Sequence, residues 1–214
     1  MAYRTIEEIF AHNREWIQEQ LQVDPDYFTK LSARQIPQYL FIGCSDSRIS
    51  SEAIMYAEPG DVFIHRNIAN VVPVNDLNVL SVVNYAVDHI RVKEIVICGH
   101  YGCGGVKAAM LADDMGVLNP WLGQIRTVYR LHKNELNAIA DEDARYNRLV
   151  ELNVLEQCIN LVRIHTVQKA LGEKRIRIHG WVFDMQTGRL TDLHFQTEQV
   201  VREFMDIYRF AGKK

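Results

Sequence analysis

Three short apolar runs constrain this chain more than any other feature. Gln38-Tyr-Leu-Phe-Ile-Gly43 and Lys93-Glu-Ile-Val-Ile-Cys-Gly99 are nearly continuous and end in glycine, and Asp61-Val-Phe-Ile-His65 follows the turn Glu58-Pro-Gly60. Runs of this length without polar alternation suit strands buried on both faces, the environment of a parallel sheet. Between the second and third runs, Leu77 to Ile90 carries apolar residues at helical spacing through Leu80, Val83, Ala86 and Val87. Strand and helix alternating in this way imply βαβ units. The sequence therefore predicts an α/β fold, a mostly parallel central sheet flanked by helices.

The remaining segments fit around that sheet. Residues 4–21 place Ile6, Ile9, Phe10 and Ile17 on one face of an amphipathic helix, and a second short helix starts near Asp24-Pro25. Gly102-Cys-Gly-Gly105 opens another helix, and residues 119–139 and 145–171 read as two long ones. Arg175–Phe183 and Arg189–Phe195, joined by Gln186-Thr-Gly188, read as a hairpin at the sheet edge, with a last helix over 198–210. No repeat, low-complexity tract or linker divides the chain. The expectation is a single domain, with a helical arm over 1–34, a core over 35–195 and a C-terminal helix over 196–214.

Charge and cysteine usage exclude several functions. Lys and Arg number 24 against 27 Asp and Glu, a net charge of −3, and the isoelectric point is near 6.2. Such a balance argues against a nucleic-acid partner, which calls for a basic excess. No apolar stretch approaches the roughly 18 residues of a membrane span, and acids interrupt the N-terminal segment where a signal peptide needs an apolar core. The expectation is a cytoplasmic protein with no membrane partner. Four cysteines in such a chain do not build a disulfide framework, so each thiol is packing, catalytic or metal-binding. Cys98 and Cys158 read as core residues.

Two segments bring the chemistry. Ligands of open α/β sheets gather beyond the carboxyl ends of the parallel strands. Cys44-Ser-Asp-Ser-Arg48 follows the first apolar run directly, and His100-Tyr-Gly-Cys103 follows the third. Together they offer two thiolates, an imidazole and a carboxylate at one edge of the sheet, a donor set that favours zinc. A phosphate-binding loop is excluded, because Gly105 stands where its lysine belongs.

These motifs resemble the β-class carbonic anhydrases, through Cys-Ser-Asp-Ser-Arg48, Gly99-His-Tyr-Gly-Cys-Gly-Gly105, Glu58-Pro-Gly60, Arg66-Asn-Ile-Ala-Asn70 and His179-Gly-Trp-Val182. The resemblance spans roughly residues 35–195. It implies one zinc ion per chain on Cys44, His100 and Cys103, and reversible hydration of CO2 to bicarbonate and a proton by zinc-bound hydroxide. Asp46 and Arg48 form the implied dyad beside the metal, with Asp46 a conditional fourth ligand when it leaves Arg48. Gln35, Phe63, Ile68 and Tyr85 fall on the positions of the CO2 pocket. The resemblance also implies a homodimer or homotetramer with its active site at the subunit boundary.

Some members carry an inhibitory bicarbonate site built from Trp, Arg and Tyr. The corresponding positions here are Phe41, Arg66 and Phe183, so one polar donor of three remains, and the expectation is that the site is lost. Two other readings stay open on the residues alone: hydrolysis of a CO2 analogue such as carbon disulfide, and a non-catalytic module with structural zinc.

Overall fold

The three apolar runs form three adjacent strands of a five-stranded sheet. In a computed structural model, which describes residues 4–208 and 210, the strands are β1 (Tyr39–Cys44), β2 (Val62–Asn67), β3 (Glu94–His100), β4 (Arg177–Asp184) and β5 (Arg189–Asp192). Their order is β2-β1-β3-β4-β5. The first four are parallel, and β5 closes the sheet as the antiparallel arm of the expected edge hairpin. All seven residues of β3 are buried, which is why its sequence lacks polar alternation.

The chain forms two compact units, Met1–Gln35 and Ile36–Lys214. The first holds α1 (Ile6–Val23) and α2 (Tyr27–Ala33). A capping box at Thr5 and Glu8 starts α1, and Trp16 sets its ring edge-on to Tyr27 and Phe28. No residue of α1 is buried, and Ile6, Ile9 and Phe10 are 61%, 50% and 61% exposed.

The second unit adds α3 (Ser51–Met55), α4 (Leu77–Asn84), α5 (Gly104–Met110), α6 (Asn119–Leu131), α7 (Lys133–Ala138), α8 (Glu142–Val162), α9 (His165–Gly172) and α10 (Thr197–Phe204). Three boundaries differ from expectation. The segment 119–139 breaks at His132, whose Nε2 meets Glu156 at 2.8 Å, and 145–171 breaks at Arg163 and Ile164. Neither break carries proline or glycine, so tertiary packing, not propensity, turns the chain there. The last helix ends at Phe204; residue 209 of the expected 198–210 span lies outside the described residues.

Leu40 and Ile42 of β1 and Ile95 and Ile97 of β3 point into the main core, with Leu149, Val154 and Leu161 of α8. A Cβ on Gly99 would sit 2.6 Å from Val154 Cγ2, and one on Gly180 would sit 3.1 Å from Val154 Cγ1. Glycine at these two positions is what lets α8 lie directly on β3 and β4. The opposite face holds a smaller cluster of Phe41, Val96 and Cys98 with Tyr39, Trp181 and Phe183 around it.

This topology selects the site. The two neighbours of β1 lie on opposite sides of it, so strand order reverses between β1 and β3. The crevice beyond the carboxyl ends of those two strands is the switch point where doubly wound sheets bind ligands.

Candidate metal centre

Cys44 ends β1, His100 ends β3, and Cys103 follows one turn later at the start of α5. Among the described residues these three form the one cluster of His, Cys, Asp or Glu able to hold a metal, with donor atoms within 4.8 Å of one another. The two Sγ atoms are 3.8 Å apart. That is the separation of two sulfurs on a tetrahedral ion at bond lengths of about 2.3 Å, which gives ~3.8 Å. The His100 ring is 1% exposed, and its Nε2 has no hydrogen-bond partner. Its Nδ1 lies 3.1 Å from the Tyr101 carbonyl, an acceptor, so Nδ1 carries the proton and Nε2 keeps a free lone pair. A buried imidazole aimed at two thiols, fixed from behind by a carbonyl, fits a zinc ion well.

The thiols are tuned by one another and by backbone amides. The hydrogen bond from Cys103 pulls Cys44 down to about 4 against the opposing effect of burial, and amides of Ala69 and Asp46 add to it. The same contact, with burial, pushes Cys103 up. Alone, the pair keeps one proton; a divalent cation lets both sulfurs ionise. The other two cysteines stay thiols, with burial pushing Cys98 up to about 12 and raising Cys158 as well.

Asp46 faces this cluster, its Oδ2 3.9 Å from His100 Nε2. Arg48 grips the carboxylate through Nε on Oδ1 at 2.9 Å, a terminal nitrogen on Oδ2 at 2.6 Å, and its own amide on Oδ1 at 3.0 Å. Those bonds hold the Asp46 carboxyl well below the usual carboxylate range. Of about four lone-pair directions on a carboxylate, three are taken, and the fourth belongs to Oδ2 on the cluster side.

Arg66 has a part that the sequence did not reveal. Its guanidinium donates to the carbonyls of Cys44, at 2.9 Å, and Asp46, at 2.6 Å. It thus pins the backbone that carries one sulfur and the dyad. Phe41 is buried with Phe183 packed at the same apolar cluster, offering no polar handle. Tyr146, also not foreseen, donates to the Cys103 carbonyl at 2.6 Å.

Of the expected pocket residues, Ile68 reaches the centre. A Cβ on Gly105 would lie 2.7 Å from Ile68 Cγ2, so Ile68 abuts the turn that holds Cys103. Phe63 and Tyr85 meet each other, ring centroids 5.9 Å apart, but on the outer strand β2 and beyond it. Phe63 pairs with Leu40, four positions before Cys44, which puts it roughly 13 Å back along the sheet from the same chain's sulfurs. Gln35 closes the first unit.

Between β2 and α4 the backbone at Ala69 and Asn70 is left-handed, with φ of 63° and 48°. Each such residue costs on the order of 1–2 kcal/mol when it is not glycine. No glycine marked the bend, so the sequence reading missed it.

Residues 39–190 match a family model described as carbonic anhydrase. A carbonic anhydrase of Emericella nidulans is 51% identical over 209 residues, covering 97% of this chain and 92% of its own. Among solved structures, a tetrameric β-carbonic anhydrase of Sordaria macrospora is 41% identical with a TM-score of 0.83, covering 87% of this chain and 95% of its own. A β-carbonic anhydrase of Coccomyxa is 32% identical with a TM-score of 0.87, covering 97% of this chain and all of its own.

Proposed function

Because the chain belongs to the β-class carbonic anhydrases, we propose that it hydrates CO2 reversibly at a zinc ion held by Cys44, His100 and Cys103, one per chain. The observation that carries this reading is the donor set, two thiols and a free imidazole nitrogen buried within 4.8 Å of one another. Three protein donors instead of four are the pattern of catalytic zinc. Zinc there supplies Lewis acidity, which makes water acidic enough to furnish hydroxide near neutral pH, as is general for carbonic anhydrases.

The protein's own residues orient that water and receive the substrate. A carboxylate can only accept, so the open lone pair of Asp46 would accept a hydrogen bond from the water and orient it, leaving the water's oxygen lone pair facing away from Asp46, toward CO2. Arg48 keeps Asp46 in that role and off the metal. Ile68 offers an apolar wall suited to an uncharged substrate. Phe63, half-buried, and Tyr85, exposed, wall the pocket of a second copy; the Gln35 amide is a donor suited to the oxygen that gains charge.

Self-association as a homodimer or homotetramer follows from that sharing, and the exposed apolar residues of α1 suit a second copy as their cover. No described helix is long and apolar enough to cross a membrane. The reducing cytoplasm, where Cys44 and Cys103 stay available as ligands, is the compartment we propose.

Full removal of metal by a chelator is expected to abolish CO2 hydration, and added Zn2+ to restore it, where Mg2+ does not. Hydration that survives with no metal left in the sample contradicts the reading. We further propose that the inhibitory bicarbonate site is lost. Arg66 is committed to the Cys44 and Asp46 carbonyls, and Phe41 and Phe183 add no donor. Rate should therefore depend hyperbolically on bicarbonate, and Arg66→Ala should lower turnover without changing the curve's shape. A sigmoidal curve that Arg66→Ala makes hyperbolic overturns this.

A further inference from the structure

Helix α8 reaches the metal centre through a route that involves no ligand. Asn153 and Gln157 are each 1% exposed, one helical turn apart, inside an otherwise apolar core. Asn153 Nδ2 donates to the Ala69 carbonyl at 3.0 Å, and Gln157 Nε2 donates to Asn153 Oδ1 at 3.1 Å. Gln157 Oε1 in turn accepts the Val72 amide at 2.8 Å. Ala69 is one of the two residues with a left-handed backbone at this bend, and it packs on the turn that carries Cys103, where a Cβ added to Gly105 would lie 3.2 Å from Ala69 Cβ.

The bend is clamped on every side. Trp121 Nε1 donates to the Ile68 carbonyl at 2.9 Å, and the Asn67 side chain bonds both the amide and the carbonyl of Val71, at 2.9 Å and 2.8 Å. Each backbone group from Ile68 to Val72 named here is held by a side chain from another part of the chain or from the end of β2. Unfavourable backbone conformations persist only where the surroundings over-determine them, and they concentrate at functional sites. A buried amide pair is costly in an apolar core unless its polar atoms are partnered, and each side-chain N and O of this pair has a partner.

We propose that Asn153, steadied by Gln157, is a positioning residue for the metal centre: it holds Ala69 in its left-handed conformation so that the bend stays seated against Gly105, on the turn that carries Cys103. The inference rests on the reading that Cys44, His100 and Cys103 hold zinc. Outer partners of ligating residues contribute about 10- to 100-fold to metal affinity, and Asn153, one contact farther out, is expected at the low end of that range, about tenfold.

The test follows metal release from the zinc-loaded enzyme into a chromophoric chelator, with the thiolate-to-cobalt absorption of the Co2+-loaded protein as a second readout. Asn153→Leu, which removes both amide groups at similar volume, is compared with Leu161→Ala, a core truncation two turns along α8. Asn153→Ser serves in case the leucine variant does not fold. Release about tenfold or more faster in the Asn153 variants, with an altered cobalt band, supports the proposal, provided Leu161→Ala releases at the wild-type rate. Wild-type release and an unchanged band in a folded Asn153 variant overturn it, as does equally fast release from Leu161→Ala. Failure of the wild-type protein to bind zinc at all strikes the underlying reading and not this inference.

Discussion

Cys103→Ser is expected to purify with little or no zinc and to retain less than roughly one part in a hundred of the CO2 hydration activity. Serine nearly preserves the shape of a residue that is 1% exposed, so the fold should survive. The loss is electronic, because an alcohol does not ionise beside Cys44 as a thiol does and is a poor ligand for a soft site. Cys98→Ala is the matching control. Cys98 is equally a free buried cysteine of β3, but its sulfur points to the smaller cluster, where it bonds only the Gly99 carbonyl. Its removal should leave zinc content and turnover unchanged at some cost in stability. Metal analysis and a hydration assay on both variants check the pair, and zinc retained at one per chain in Cys103→Ser contradicts the assignment.

Asp46→Asn should have the second largest effect, lowering kcat/KM on the order of 10²-fold with zinc still bound. Asp46 presents acceptors only, and three of its lone-pair directions are occupied by Arg48. An amide loses one acceptor oxygen, no longer attracts the guanidinium as a charge, and can turn a donor toward the water. Water orientation and the Arg48 pairing then fail together. Arg48→Ala should lower turnover by the other route, since a carboxylate released from its partner lies 3.9 Å from His100 Nε2 and close enough to compete for the metal. Kinetics on both variants, with zinc measured in each, check this; unaltered turnover in Asp46→Asn removes Asp46 from the mechanism.

The sheet was legible because its strands are buried on both faces, which leaves continuous apolar runs such as Ile95 to Cys98 with little else to become. Cys44, His100 and Cys103 stood out for a related reason: reactive residue types placed immediately after such runs must gather at one edge. What stayed hidden depends on register and on tertiary strain. Arg66 reaches the Cys44 and Asp46 carbonyls because Gly43 pairs with it across β1 and β2, a pairing no local pattern announces. Ala69 adopts a conformation that local sequence rules reserve for glycine, and only Asn153, 84 positions away, holds its carbonyl there. The breaks at His132 and Ile164 carry no turn residue, so helical periodicity runs straight through them.

One experiment addresses the whole account: stopped-flow CO2 hydration from about pH 6.5 to 9, with zinc determined on the same sample. The Arg48 guanidinium holds Asp46 ionised well below that window, so Asp46 does not change charge within it. The account predicts one zinc per chain and turnover that persists down to about pH 7, with Asp46 paired and the metal open to water. Full zinc with activity appearing only above about pH 8 would mean that Asp46 closes the site despite Arg48. Full zinc with no activity at any pH would contradict the central claim, leaving a metal centre that holds the fold together and turns nothing over.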